Sequence, residues 1–168
     1  MDFKALAKIK NLQAFLDTIS FSEGTDRQGK DKSYGIRFGG FQFEPGDDHP
    51  RIVYNPKSFP QGSDAAGRYQ IMSYTWDGLK KQAPGLLEKF TATYQDIAAM
   101  LLLSNRNALN DVCAGRFDVA VQKCSLEWAS FPDENKGGAS HYGGQPSRTL
   151  LELRNFYINH GGQISMIE

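Results

Sequence analysis

At 168 residues the chain is short enough to be one domain and long enough to bury a core without disulfide or metal staples. Its 19 Lys and Arg balance 19 Asp and Glu, which excludes the basic field used to hold nucleic acid or an anionic membrane surface. Cys113 and Cys124 are too few for a disulfide framework and stand apart from other metal ligands, so free thiols are expected.

The N-terminus, Met1 to Lys8, mixes charges with apolar residues and never builds the apolar core of a signal peptide. Leu12, Phe15, Leu16 and Ile19 then recur at helical spacing, predicting a helix that ends at Gly24. Glu23 lies four residues beyond Ile19 and continues the apolar face, so the pattern aims a carboxylate inward at a helix C-terminus. Burial and the helix dipole both disfavour the anion there, and a carboxylic acid kept protonated near neutrality serves as a general acid. The competing reading is a solvated Glu in a frayed last turn.

A polar turn from Thr25 to Ser33 follows. Tyr34, Ile36 and Phe38 then alternate with polar or small residues, and Phe41 and Phe43 do so after Gly39-Gly40, which predicts a β-hairpin. Pro45 to Ala66 is aperiodic, with Arg51 to Tyr54 as a candidate short third strand. Helices are expected from Ser73 to about Gln82 and from Tyr94 to Asn110, the latter behind a capping box at Thr93 to Asp96. Phe117, Ala120, Val121, Cys124 and Trp128 mark another helical face. Pro132 to Pro146 reads as a glycine-rich loop carrying His141 and Tyr142, and a last helix runs from about Ser147 to Asn159. The longest apolar run, Ile97 to Leu103, is far too short to cross a bilayer. The fold class expected is α+β, mostly helical, with a small hairpin lobe and two long loops flanking a groove between two lobes.

Ala66-Gly67-Arg68-Tyr69-Gln70 stands just ahead of a helix, where glycine permits close backbone approach and a Gln side chain both donates and accepts hydrogen bonds. With this motif in place, the chain resembles the lambda-type phage endolysins, small lysozyme-like lytic transglycosylases that cleave peptidoglycan. The resemblance rests on Phe15-Leu16-Asp17, Ser22-Glu23-Gly24-Thr25-Asp26, Gly39-Gly40, Asp48-His49-Pro50-Arg51, Gly67-Arg68-Tyr69-Gln70, Cys124-Ser125 and Trp128-Ala129-Ser130, in order over about Asn11 to Gln163. It implies that Glu23 is the catalytic acid, that Gln70 and Tyr142 belong to a saccharide groove, and that Tyr34 borders it. Arg68 and Tyr69 match the motif as binding or structural residues. It also implies a monomer acting on peptidoglycan glycan strands, made in the host cytoplasm and reaching the wall after release. No cofactor, metal, nucleic acid or stable membrane association is expected. Two departures stand out: Gly35 occupies a position where some relatives carry an Asp, and the Asp133 to Gly144 loop is longer.

Paired-carboxylate hydrolysis needs a second acid. Asp26, Asp47, Asp48 and Asp77 are the candidates, Asp26 being read as a turn cap. A transglycosylase needs none, because the muramyl C6 hydroxyl replaces water. A hydrolytic muramidase and a non-catalytic wall-binding module remain the alternatives. His49, His141 and His160 are too scattered for a metal motif, and His49 beside Pro50 reads as loop packing.

Overall fold

The structure, a computed structural model, describes residues 1–165. It is α+β and mostly helical, as the periodicity predicts. The helices are α1 (Phe3–Leu6), α2 (Lys10–Glu23), α3 (Lys30–Ser33), α4 (Ser73–Gln82), α5 (Ala92–Asn105), α6 (Leu109–Cys113), α7 (Phe117–Cys124) and α8 (Leu150–Asn159). Two antiparallel pairs complete it: β1 (Ile36–Arg37) with β2 (Phe41–Gln42), and β3 (Pro132–Asp133) with β4 (Ala139–Ser140). The chain divides into two compact units, Glu23–Ala99 and the remainder, with the divisions falling inside α2 and α5.

The larger unit is built on the apolar face of α2, where Leu12, Phe15, Leu16 and Ile19 are all buried. Phe15 is its hub, edge-on to Phe117, Phe131 and Tyr157 at ring separations of 5.8, 5.9 and 6.4 Å. Such edge contacts add to the burial of ring area, which supplies most of the stabilisation. In α7 the expected face is buried, with Cys124 fully enclosed and its thiol pushed up by desolvation; both cysteines are free. Helix α8 starts three residues later than the pattern suggests, because Thr149 and Glu152 form a reciprocal capping box there.

The smaller unit holds the first hairpin in the register Ile36↔Gln42 and Arg37↔Phe41, shorter than the alternation implies. Its core is aromatic: Trp76 of α4 meets Phe90 edge-on at 4.9 Å, and His49 meets the same ring at 4.9 Å.

Four local expectations are corrected. Thr25 to Ser33 is not one turn but a 3-10 turn, Asp26–Gln28, followed by α3. Arg51 to Tyr54 is not a strand, since only Tyr54 bridges to Ser63. Helix α5 begins at Ala92, ahead of the supposed cap Thr93, and ends at Asn105 instead of Asn110. Asn107 is left-handed (φ +53), Asn107 N–H donates to Ser104 O at 2.9 Å, and Ala108 N–H donates to Leu103 O at 2.8 Å, a Schellman stop. Within the Pro132 to Pro146 segment β3 and β4 pair, closed by Gly137 and Gly138, both at positive φ.

Candidate functional site

Glu23 is the last residue of α2 and is half-buried. Gly24 follows at φ +71, a conformation that breaks the helix at once and that side chains adopt only at a cost. Thr25, buried, turns its hydroxyl to donate to Arg68 O at 2.7 Å. The residue that sets the exit from the helix is thereby tied to the Gly67 to Gln70 motif.

That motif is a tight loop closed by Ala66 and Ile71, whose N–H groups donate to each other's carbonyls at 3.0 and 2.9 Å. Gly67 sits at φ +78 and donates its N–H to Ile36 O at 2.8 Å. A Cβ there would stand 2.2 Å from Gln95 Oε1, so only glycine fits over this side chain. Gln95, with no exposed surface, accepts from Arg68 N–H at 2.9 Å and donates from Nε2 to Tyr34 O at 3.0 Å and Phe90 O at 3.3 Å. Its three bonds fasten the loop to α5 and to the segment before the hairpin.

Beside the loop lies a polar cluster that centres on the half-buried Asp96 and is otherwise buried. Asp96 Oδ1 accepts from the Tyr34 hydroxyl at 2.9 Å and from the Tyr69 hydroxyl at 2.6 Å. Arg68 donates to Ser33 Oγ at 2.7 Å, and its guanidinium carbon lies 5.4 and 5.8 Å from the Tyr34 and Tyr69 ring centroids. Burial raises the Asp96 carboxyl above its usual range, opposed by the two phenolic donors and by Arg68. Desolvation, reinforced by the Asp96 charge, pushes both tyrosine hydroxyls far up, so they remain donors.

The expected site residues therefore fall into distinct environments. Tyr34, Arg68 and Tyr69 are buried at 7, 2 and 1 % exposure, their polar groups turned into this cluster. Gln70 is half-buried at φ +47; its Nε2 donates to Gly67 O at 3.0 Å and Ile36 O at 3.1 Å, and its Oε1 makes no hydrogen bond among the described residues. Tyr142 belongs to the other unit. The residue is 45 % exposed and its ring is held from both ends, the hydroxyl donating to Leu126 O at 2.8 Å and the edge meeting His141 at 5.1 Å. Asp133 orients His141 through Nδ1 at 2.8 Å and accepts from Gln122 at 2.8 Å; these bonds, Gln122 first, draw the Asp133 carboxyl down to about 2.

The candidate second acids are mostly committed elsewhere. Arg51 clamps Asp77 through two bonds of 2.9 and 2.7 Å and reaches Asp48 at 3.0 Å, while Asp48 also accepts from Trp76 Nε1 at 2.7 Å and Lys80 at 3.0 Å. His49 completes this clamp as loop packing: Nε2 lies 2.9 Å from Ile71 O, and Arg51 N–H donates to Nδ1 at 3.1 Å. Asp47 is 97 % exposed at its side chain. Asp26 opens the 3-10 turn, but the cap expected of it is not formed: its carboxylate makes no hydrogen bond among the described residues. At Gly35 a Cβ would come 2.6 Å from Phe43 O, so this backbone admits no acidic side chain there.

Gln95 and Asp96 carry no functional signal of their own in the sequence. As two adjacent polar residues entering an otherwise apolar helix, they read as part of a capping motif. Among the described residues no group of three metal-ligating side chains comes together, and no helix is long and apolar enough to cross a membrane. A cavity of ≈ 360 Å³ bordered by Val121, Pro132, Glu134 and Leu150 contains none of the expected site residues.

A helix-terminal Glu followed by a short hairpin and a glycine loop, in a mostly helical chain, defines a lysozyme-like protein. The Endolysin family model matches residues 13–164, and the chain belongs to that family. It is 37 % identical over 134 residues to the endolysin of Escherichia phage lambda, covering 77 % of this chain and 82 % of the relative. The endolysin of Escherichia phage P2 is 33 % identical over 145 residues, covering 79 % and 86 %. Among solved structures, bacteriophage lambda lysozyme complexed with a chitohexasaccharide superposes with a TM-score of 0.80 at 32 % identity, covering 93 % of this chain and 97 % of that one. Membership supports a peptidoglycan-cleaving activity of glycosidase or transglycosylase type in general.

Proposed function

We propose that this endolysin is a lytic transglycosylase. It cleaves the β-1,4 bond between N-acetylmuramic acid and N-acetylglucosamine and leaves 1,6-anhydromuramyl ends, with Glu23 as its one acid and base. The observation that carries the reading is the locked turn at Glu23: helix end, Gly24 at φ +71 and Thr25 bonded to Arg68 O, two residues ahead of Gln70, whose amide oxygen accepts no hydrogen bond among the described residues. Supporting it, Asp48 and Asp77 are engaged by Arg51, and Gly35 leaves no room for an acid.

In this mechanism Glu23 protonates the departing glycosidic oxygen. The bond from the muramyl anomeric carbon breaks, the C6 hydroxyl of the same sugar attacks that carbon, and Glu23 takes the hydroxyl proton, returning to its starting state. A tethered nucleophile needs no capture from solvent. Gln70 Oε1 accepts a hydrogen bond from a sugar hydroxyl or amide, and the anchored Tyr142 ring offers a flat face for a pyranose. Tyr34, Arg68 and Tyr69 act from below, holding the loop. The enzyme works as a monomer on glycan strands, without metal or cofactor.

Hydrolysis through Asp26 is the second reading, favoured by the unengaged carboxylate three residues from Glu23. Digestion of purified sacculi in oxygen-18 water separates the two. Transfer gives anhydro ends lighter by one water and free of label, lost in Glu23→Gln and kept in Asp26→Asn. Labelled reducing ends as the main product, abolished by Asp26→Asn, would establish the hydrolase. A Glu23→Gln protein that still clears sacculi would move the acid elsewhere.

A further inference from the structure

We infer that Asp96 is a positioning residue for Glu23, an inference that rests on Glu23 being the acid. A carboxylate is costly to desolvate even in part, as the half-buried Asp96 is, and two tyrosine hydroxyls would be satisfied by a neutral amide. What the charge adds is stronger, shorter hydrogen bonds and attraction to the Arg68 guanidinium, both of which stiffen the cluster. The cluster has a direct path to the helix exit. Asp96 Oδ1 fixes the Tyr69 hydroxyl at 2.6 Å; Tyr69 is joined to Arg68, whose carbonyl accepts from Thr25 at 2.7 Å; and Thr25 is two residues from Glu23.

A second path runs in parallel from the neighbouring residue of α5. Gln95 holds Arg68 N–H and Tyr34 O, while Asp96 takes the Tyr34 hydroxyl. Arg68 is thus held on its N–H by α5 and on its carbonyl by Thr25, so any slackening at Asp96 reaches the Gly24 turn through one residue. Rates depend steeply on the placement of a reacting group, and a shift of about 1 Å is worth on the order of a hundredfold. Asp96 touches no substrate in this scheme; it acts through Tyr69, Arg68 and Thr25.

The test is a double-mutant cycle in the full chain. Asp96→Asn keeps the shape and removes the charge; Thr25→Val keeps the shape and removes the hydroxyl. With sacculi as substrate, kcat and KM are measured per folded molecule, with binding followed by sedimentation. Each variant is expected to lower kcat at least tenfold with KM and sacculus binding unchanged, and the double variant to fall no further than the worse single one. A purely structural Asp96 would lower the melting temperature and leave kcat per folded molecule alone, which would overturn the inference. So would losses that multiply in the double variant. Should Asp96→Asn not fold, Tyr69→Phe replaces it in the cycle, with the same outcomes expected and the same ones overturning it. The catalytic reading fails separately: Glu23→Gln retaining lysis sinks it, whereas an inactive Glu23→Gln beside a fully active Asp96→Asn sinks only the positioning role.

Discussion

Replacing Gly67 by Ala tests the seat of the motif loop. The backbone at φ +78 costs an L-residue about 1–2 kcal/mol. The new methyl would stand 2.2 Å from Gln95 Oε1 and 2.7 Å from Gln95 Cδ, and Gln95 has no exposed surface into which to retreat. Forcing a methyl into such packing costs a further ~1–3 kcal/mol, and any displacement of Gln95 loosens its bonds to Arg68 N–H and Tyr34 O at about 1 kcal/mol each. Together these give about 4–7 kcal/mol, or roughly 10–25 °C in melting temperature for a chain of this length. Gly85 is the control: it also has positive φ (+77), but a Cβ there meets nothing within 4 Å, so Gly85→Ala should cost only the backbone part, about 1–2 kcal/mol. Urea unfolding followed by far-ultraviolet circular dichroism measures both. A Gly67→Ala protein no less stable than Gly85→Ala would refute the cradle argument.

Two further outcomes are expected. Burial lowers the His49 pKa from its ordinary 6.5, so the unfolded chain takes up a proton first as pH falls. Stability contributed by the neutral ring is therefore full above about pH 6.5 and declines as the pH drops below it. Urea midpoints between pH 7.5 and 5 should show this decline, and His49→Gln, whose amide can donate to Ile71 O without titrating, should flatten it; identical slopes would exclude His49 as the source. Gln70→Ala removes donors to Ile36 O and Gly67 O, which should cost about 1–2 kcal/mol. It should also raise KM for sacculi, and an unchanged KM per folded molecule would leave Gln70 a purely structural residue.

Local spacing was enough to place α2, its stop at Gly24, the first hairpin, α4 and the buried face of α7, because each follows from a repeat that buries one side of one element. Gly24 and Glu23 were legible for the same reason, being consecutive in the chain. The stop of α5 at Asn107 was less so: an Asn rarely signals a left-handed cap as clearly as a glycine does. The β3–β4 pair was hidden because no apolar alternation flanks its two-residue strands, as it does those of the first hairpin. What only the tertiary structure decided was the use of polar side chains across distant segments. Asp96 looks like a helix cap from its neighbours, yet its partners Tyr34 and Tyr69 lie 62 and 27 residues away. Tyr34 is expected to border the groove and Arg68 and Tyr69 to bind or to support; all three are buried, with their polar groups turned to Asp96 and Ser33. A hydrogen bond between distant residues depends on where the folded backbone brings donor and acceptor together, and periodicity along the chain carries no information about that distance.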